Sequence, residues 1–170
     1  MYTLKESKNV ANKFRKYLRI GGKHYSSFVV GSLRRNISSL HDIDILVIIP
    51  DEKRTNEISL INCNNEINIK EISKDGNKRK EIIIVAKDVN YKIDLYYTNR
   101  ADKGYAMLHF TGPKSYNIRI RAYAKKKGWK LNQYGLFDVN TGKQVVYELK
   151  TEREIVSYLG VTYYLPSERK

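Results

Sequence analysis

The spacing of apolar residues divides the chain into a strand-rich first part and a helix-led second part. We predict a first helix over about Asn9–Ile20. Its residues Val10, Phe14 and Leu18 recur at the period of an α-helix and form one apolar stripe. The glycine that follows at Gly21 is typical of a helix end.

Runs of β-branched and alternating apolar residues predict the strands of one sheet. The clearest is Ile43–Ile49, which is almost wholly apolar and is ended by Pro50. Turn-forming residues separate the shorter runs. The other predicted strands and the turns between them are Phe28–Val30, Glu66–Ile72, Asp75-Gly76-Asn77 (turn), Glu81–Lys87, Asp88–Asn90 (turn) and Tyr91–Tyr97.

Helices lead from residue 101 onward. We predict helices at Ala101–Phe110 and Pro113–Lys126, and a last one opened by the capping box of Thr151 and Glu154 and ended by Gly160. Short strands are predicted at Trp129–Asn132, Leu136–Asp138 and Val145–Tyr147. The pattern indicates an α/β (α+β) chain with a sheet-bearing part at 1–100 and a helix-led lobe at 101–170.

Charge indicates the class of partner. The 170 residues include 32 Lys and Arg against 18 Asp and Glu, which gives a net charge of +14. An excess of this size attracts polyanions, with nucleic acid first among them. No apolar run is long enough for a membrane span, and no secretory signal or zinc-type Cys/His spacing is visible. We therefore expect an intracellular protein that does not bind membranes.

Three aspartates on predicted strands are the candidate catalytic residues. Asp42 and Asp44 open one strand and project to the same side, because strand side chains alternate. Asp94 lies between two core-facing residues of a later strand, and pairing of the two strands would bring the three carboxylates together. Oxygen ligands suit Mg²⁺ or Mn²⁺, and two such ions can flank a phosphoryl transfer. On its own, however, a D-x-D at a strand start is more often a surface feature.

Two further segments are suited to phosphate. Gly31-Ser32 ends a strand where a helix is predicted to begin, so backbone N–H groups, the Ser32 hydroxyl and the nearby Arg35 can face an anion. The stretch from Pro113 to Lys130 holds seven basic residues and no acidic one. Such a run is usually a solvated face, but in a chain of this charge it favours contact with a nucleic-acid backbone.

Together these motifs resemble the family X DNA polymerases, the group typified by DNA polymerase beta. The resemblance rests on GSLRR, DID, KIDLY, HFTGP, RIRIR and LNQYGLF, and it runs from about Phe28 to Leu136. HFTGP, RIRA, KKK and KLNQYGLF are especially similar to a small viral member. The resemblance implies a nucleotidyltransferase palm at 1–100 with a mixed, largely antiparallel sheet. It also implies a helix-led, thumb-like domain at 101–170 and no N-terminal lyase domain.

The resemblance also implies roles for individual residues. Asp42 and Asp44 would bridge two Mg²⁺ ions, for which Mn²⁺ can substitute, and Asp94 would bind the catalytic ion and help prepare the primer 3′-hydroxyl. Ser32 and Arg35 would hold the β and γ phosphates of the deoxynucleoside triphosphate. Further nucleotide contacts would come from His109, Phe110, Gly112 and Asn117, and DNA contacts from Lys114, Arg121, Lys125, Lys126 and Lys127.

The implied reaction is template-directed addition of deoxynucleotides to a primer, most suitably at short gaps in base excision repair. We expect a monomer acting on gapped or primer–template DNA in the cytoplasm of a virus-infected cell. Two alternatives stay open at this stage: a nucleotidyltransferase that needs no template, and a non-enzymatic basic DNA-binding protein.

Overall fold

The computed structural model describes residues 1–50, 57–76 and 78–170. They form two compact units, Met1–Asn99 and Arg100–Lys170. Every helix among the described residues is too short or too polar to traverse a lipid bilayer. The turn residue Asn77 lies outside the described ranges.

A five-stranded sheet organises the first unit. The elements of this unit are β1 (Tyr2–Thr3), α1 (Leu4–Tyr17), β2 (Leu18–Ile20), β3 (Ser27–Val29), α2 (Gly31–Arg34), β4 (Ser39–Leu40), β5 (Ile43–Ile48), β6 (Ile58–Leu60), β7 (Asn68–Asp75), β8 (Arg79–Ala86) and β9 (Val89–Thr98). The strand order in the sheet is β3-β5-β9-β8-β7. Strands β5 and β9 pair in parallel, and the other neighbours pair antiparallel. The predicted mixed, largely antiparallel sheet is therefore confirmed.

One face of this sheet carries the core of the first unit. Ile43, Ile45, Ile93 and Leu95 are fully buried in one cluster with Phe14 of α1. Because strand side chains alternate, the residues between them face the opposite side of the sheet. Burial of the apolar residues thus fixes which side chains are presented on the other face.

The first helix differs from the prediction at both ends. It begins at Leu4, because Thr3 and Glu6 form a capping box in which each side chain bonds the other residue's backbone N–H. It ends at Tyr17, so the prediction of helix through Ile20 was wrong. Leu18–Ile20 instead pairs antiparallel with Ile58–Leu60, and this long-range pairing overrides the local helical spacing.

The second unit is built on three helices and a hairpin. Its elements are α3 (Lys103–Thr111), α4 (Lys114–Lys126), β10 (Trp129–Asn132), β11 (Gly135–Asp138), α5 (Glu152–Tyr158) and a 3₁₀ turn (Pro166–Glu168). The capping box of Thr151 and Glu154 opens α5 as predicted. The prediction of a strand at Val145–Tyr147 was wrong, since these residues form no strand and the preceding Gln144 forms only an isolated bridge with Phe137.

The backbone conformation of two residues explains the hairpin between β8 and β9. Ala86 pairs with Val89, which leaves Lys87 and Asp88 as a two-residue loop, with φ of 51° and 61°. Positive φ at both positions matches the turn type that two-residue hairpins favour. The predicted turn at Asp88–Asn90 therefore begins one residue too late, and its last two residues, Val89 and Asn90, belong to β9.

Candidate active site

Two of the three candidate aspartates lie side by side on the sheet. Asp44 of β5 is the direct register partner of Asp94 of β9, in the parallel pair at the centre of the sheet. Asp42 lies just before β5, two residues from Asp44 and on the same side. The structure thus gathers negative charge on the face opposite α1.

Burial and the neighbouring carboxylates raise the pKa of Asp44 to about 7. Burial is the largest cause, followed by repulsion from Asp42 and then from Asp94. A hydrogen bond donated by the Tyr96 hydroxyl and the charge of Arg79 oppose the rise without cancelling it. A carboxyl whose pKa is raised by burial and by neighbouring carboxylates is typical of a functional site.

Asp94 is held by an arginine that sequence reasoning missed. Its carboxylate is 3 % exposed, and Oδ2 accepts a hydrogen bond of 2.9 Å from Nη2 of Arg79. This bond raises the pKa of the Arg79 guanidinium. No local motif marks Arg79, because its contact with Asp94 depends on how β8 and β9 pair. Glu81 lies opposite Asp94, and Arg79 precedes Glu81 by two residues on β8.

The oxygens of this cluster suit a divalent cation. Oδ1 of Asp94 is buried and has no hydrogen-bond partner among the described residues. The repulsion that raises the pKa of Asp44 is the kind that a cation between carboxylates relieves. Hard carboxylate oxygens with no Cys or His favour Mg²⁺ or Mn²⁺. Across residues 1–50, 57–76 and 78–170, no three acidic, His or Cys side chains are already arranged as a ligand set.

The Gly31-Ser32 turn lies directly against Asp44. The Val30 N–H donates a hydrogen bond of 2.9 Å to the backbone oxygen of Asp44, and Gly31 has a φ of 62°. Ser32 and Arg35 follow at once and are half-buried. Helix α2 has only four residues, so its dipole is small. Any affinity for an anion would therefore come from the side chains and from individual N–H groups.

In the second unit, His109 is held by two residues of α4. Nδ2 of Asn117 donates to the His109 backbone oxygen over 2.7 Å, and the Arg121 guanidinium lies 2.7 Å from Nδ1 of the imidazole. Burial, and secondarily Arg121, lower the pKa of His109, which favours a neutral ring whose Nδ1 can accept the hydrogen bond from Arg121. The ring of Phe110 packs edge-on against His109 at 4.8 Å.

Gly112 ends the same helix in a backbone conformation that needs glycine. Its φ of 62° with ψ of −149° is a region that residues with a side chain rarely occupy. Pro113 then caps α4 at its N-terminus. The structure therefore brings His109, Phe110, Asn117 and Arg121 together and places Gly112 at the turn between the two helices.

Exposed lysines along helix α4 and at its C-cap form a basic surface. The side chains of Lys114, Lys125, Lys126 and Lys127 are exposed, and none of them pairs with a carboxylate of the described residues. Lys126 lies 5.5 Å from the ring centroid of Tyr123. A face of this kind remains free to meet a polyanion.

Comparison with known proteins assigns the family. The DNA polymerase beta thumb family matches residues 106–170. The Repair DNA polymerase X of African swine fever virus is 40 % identical over 99 % of this chain and 99 % of its own length. The chain belongs to the family X DNA polymerases. The prediction of a DNA polymerase of this family is thereby confirmed.

A more distant relative and two solved structures are also similar to this chain, and the structures share its fold. The DNA polymerase/3'-5' exonuclease PolX of Bacillus subtilis is 28 % identical over 82 % of this chain and 23 % of its own length. The polymerase beta of Leishmania infantum, in its ternary primer–template complex, matches with a TM-score of 0.75 at 20 % identity, over 99 % of this chain and 76 % of that one. Its ternary gap complex gives a TM-score of 0.74.

Proposed function

We propose that this family X polymerase is a viral repair enzyme that adds deoxynucleotides to a primer 3′-hydroxyl opposite a template, at short gaps left in base excision repair. The observation that carries the proposal is the direct pairing of Asp44 with Asp94 beside Asp42. The names of the African swine fever virus relatives support a repair role and a viral origin. We also propose that it acts as a monomer in the cytoplasm of the infected cell.

Asp42, Asp44 and Asp94 would hold two Mg²⁺ ions. When bound, these ions supply charge stabilisation to the phosphoryl group in transfer. The protein contributes fixed positions: the sheet register holds Asp44 beside Asp94, and Arg79 restrains Oδ2 of Asp94 while Oδ1 stays available. Asp94 would also orient the primer hydroxyl.

Phosphates of the incoming nucleotide would be held on the first unit by Ser32 and Arg35. A serine hydroxyl donates one hydrogen bond, and a guanidinium offers a planar pair of donors suited to phosphate oxygens. On the second unit, the His109–Arg121 pair and Asn117 would contact the nucleotide and the template. There Arg121 contacts Nδ1 of the His109 ring and Asn117 holds the His109 backbone oxygen, so the histidine is already restrained.

DNA would be held through its backbone by α4. Lys114, Lys125, Lys126 and Lys127 have no carboxylate partner within the described part of the chain, so a phosphate would not have to displace one. Release of counterions from DNA would supply much of the affinity and make it depend on salt.

The test is extension of a labelled primer across a one-nucleotide gap, with Mg²⁺ and each deoxynucleotide supplied separately. We expect incorporation only of the nucleotide that matches the template, and no product from the Asp42→Ala/Asp44→Ala variant. Incorporation that ignores the template would indicate a template-independent transferase instead. Absence of product with DNA binding that persists in EDTA would contradict an enzymatic role.

A further inference from the structure

A two-ring aromatic stack lies at the surface of the second unit. The rings of Trp129, at the start of β10, and Tyr158, at the end of α5, have centroids 5.6 Å apart and planes inclined by 23°. Trp129 packs partly against the core of the unit, whereas Tyr158 is 42 % exposed. One face of the Tyr158 ring lies against Trp129, and a large part of the Tyr158 side chain remains accessible to solvent.

One basic side chain lies beside this stack, and a second belongs to the preceding residue. The Lys127 ammonium lies 5.6 Å from the centroid of Trp129. One residue earlier, Lys126 lies 5.5 Å from Tyr123, whose side chain is 40 % exposed. Neither lysine pairs with a carboxylate of the described residues. The surface is thus aromatic and positively charged at once.

The acidic residue that pairs with Trp129 in the hairpin does not neutralise this positive charge. Asp138 pairs with Trp129 across the hairpin, but its Oδ1 accepts hydrogen bonds from the backbone N–H groups of Asn140 and Thr141 and from the Thr141 hydroxyl. These bonds lower the pKa of Asp138 and direct its carboxylate into the turn. The lysines beside the stack are left without a counterion.

We propose that the stack of Trp129 and Tyr158 binds unpaired bases of single-stranded DNA. An exposed ring face accepts any base by stacking, while nearby lysines hold the adjoining phosphates. Bases within a duplex are already stacked on one another, so only an unpaired segment can use this surface. This binding needs neither the three aspartates nor turnover, and it therefore goes beyond the proposed gap-filling reaction.

The chain's single tryptophan makes the test direct, because all tryptophan fluorescence comes from Trp129. A short oligothymidylate is titrated into the full chain in EDTA, without nucleotides. We expect quenching of the emission on binding. Tyr158→Leu, which keeps an apolar side chain against Trp129 but removes the planar face, should weaken binding about 5- to 150-fold. Tyr158→Phe should bind like the wild type.

Tyr147→Ala is the matched control. Tyr147 is 75 % exposed and makes no ring contact with the described residues, so its loss should leave the affinity unchanged. Circular dichroism checks that each variant is folded. If folded Tyr158→Leu binds as tightly as the wild type, or if Tyr147→Ala weakens binding equally, the stacking site is excluded.

A salt series separates stacking from charge. Lys127→Gln should reduce the slope of log affinity against log salt by about 0.7, the value for one phosphate contact on a single strand. Tyr158→Leu should lower affinity at every salt concentration without changing the slope. A changed slope in Tyr158→Leu would contradict stacking. Failure of gap filling with intact oligonucleotide binding would count against the proposed function alone.

Discussion

The carboxylate of Asp44 occupies the space that a side chain on Gly31 would need. A Cβ built on Gly31 would overlap Oδ2 of Asp44 and stand 2.7 Å from its Cγ, a separation that real Cβ atoms do not show. The φ of 62° at Gly31 adds a second demand for glycine. The turn that precedes Ser32 is therefore built around the position of the central aspartate.

Gly31→Ala should abolish primer extension, because the added methyl group must displace the Asp44 carboxylate. Gly22→Ala is the control: Gly22 has a similar φ of 73° but nothing within 4 Å of its Cβ position. It should lose only about 1–2 kcal/mol of stability and keep its activity. Extension assays and urea unfolding of both variants check this. Full activity in Gly31→Ala would contradict the packing.

Asp44→Asn should stabilise the fold while removing activity. With a pKa near 7, the Asp44 carboxyl carries a proton more readily in the folded than in the unfolded chain, so it penalises folding increasingly as pH rises from about 4 through 7. In EDTA at pH 8 the variant should melt higher, by roughly 2–4 °C for each kcal/mol gained.

At pH 5 Asp44 is protonated, and the difference in melting temperature between wild type and Asp44→Asn should shrink. Thermal melts at the two pH values measure this. If Asp44→Asn melts lower than the wild type at pH 8, or if the difference in melting temperature grows on acidification, burial and repulsion do not destabilise the ionised Asp44 carboxylate.

Loss of the Arg79 guanidinium should destabilise the first unit. Arg79→Gln leaves Oδ2 of the buried Asp94 carboxylate without its 2.9 Å hydrogen bond. Leaving a buried acceptor unsatisfied costs about 1–3 kcal/mol, and exposure of Arg79 favours the lower end. Lys70→Gln, on an exposed strand position, removes the same charge and should be neutral. Equal urea midpoints for both variants would show that Arg79 does not stabilise the Asp94 carboxylate.

The lysines of α4 should govern how duplex affinity depends on salt. Lys125→Gln should weaken binding of gapped DNA and reduce the slope of log affinity against log salt by about 0.9 if it contacts one phosphate. Lys70→Gln again serves as the charge control. Binding isotherms between low and moderate salt give the slopes. An unchanged slope in Lys125→Gln would assign that side chain to a merely solvated face.

Strand alternation was enough to predict which residues share a face of the sheet. Because Ile43 and Ile93 are buried on one face, Asp44 and Asp94 must lie on the other. Features set by long-range pairing could not be predicted. Arg79 reaches Asp94 only through the register of β8 on β9. Local spacing likewise could not predict the strand at Leu18–Ile20, whose partner lies some 40 residues away.

The central claim is that Asp94 belongs to the catalytic centre, and primer extension by Asp94→Asn tests it most directly. The matched control is Asp88→Asn, in the hairpin turn that leads into the same strand, where asparagine suits the φ of 61°. Both variants are assayed on one gapped substrate with the matching deoxynucleotide and Mg²⁺. The account predicts loss of extension in Asp94→Asn and wild-type extension in Asp88→Asn. Sustained extension by folded Asp94→Asn would contradict it.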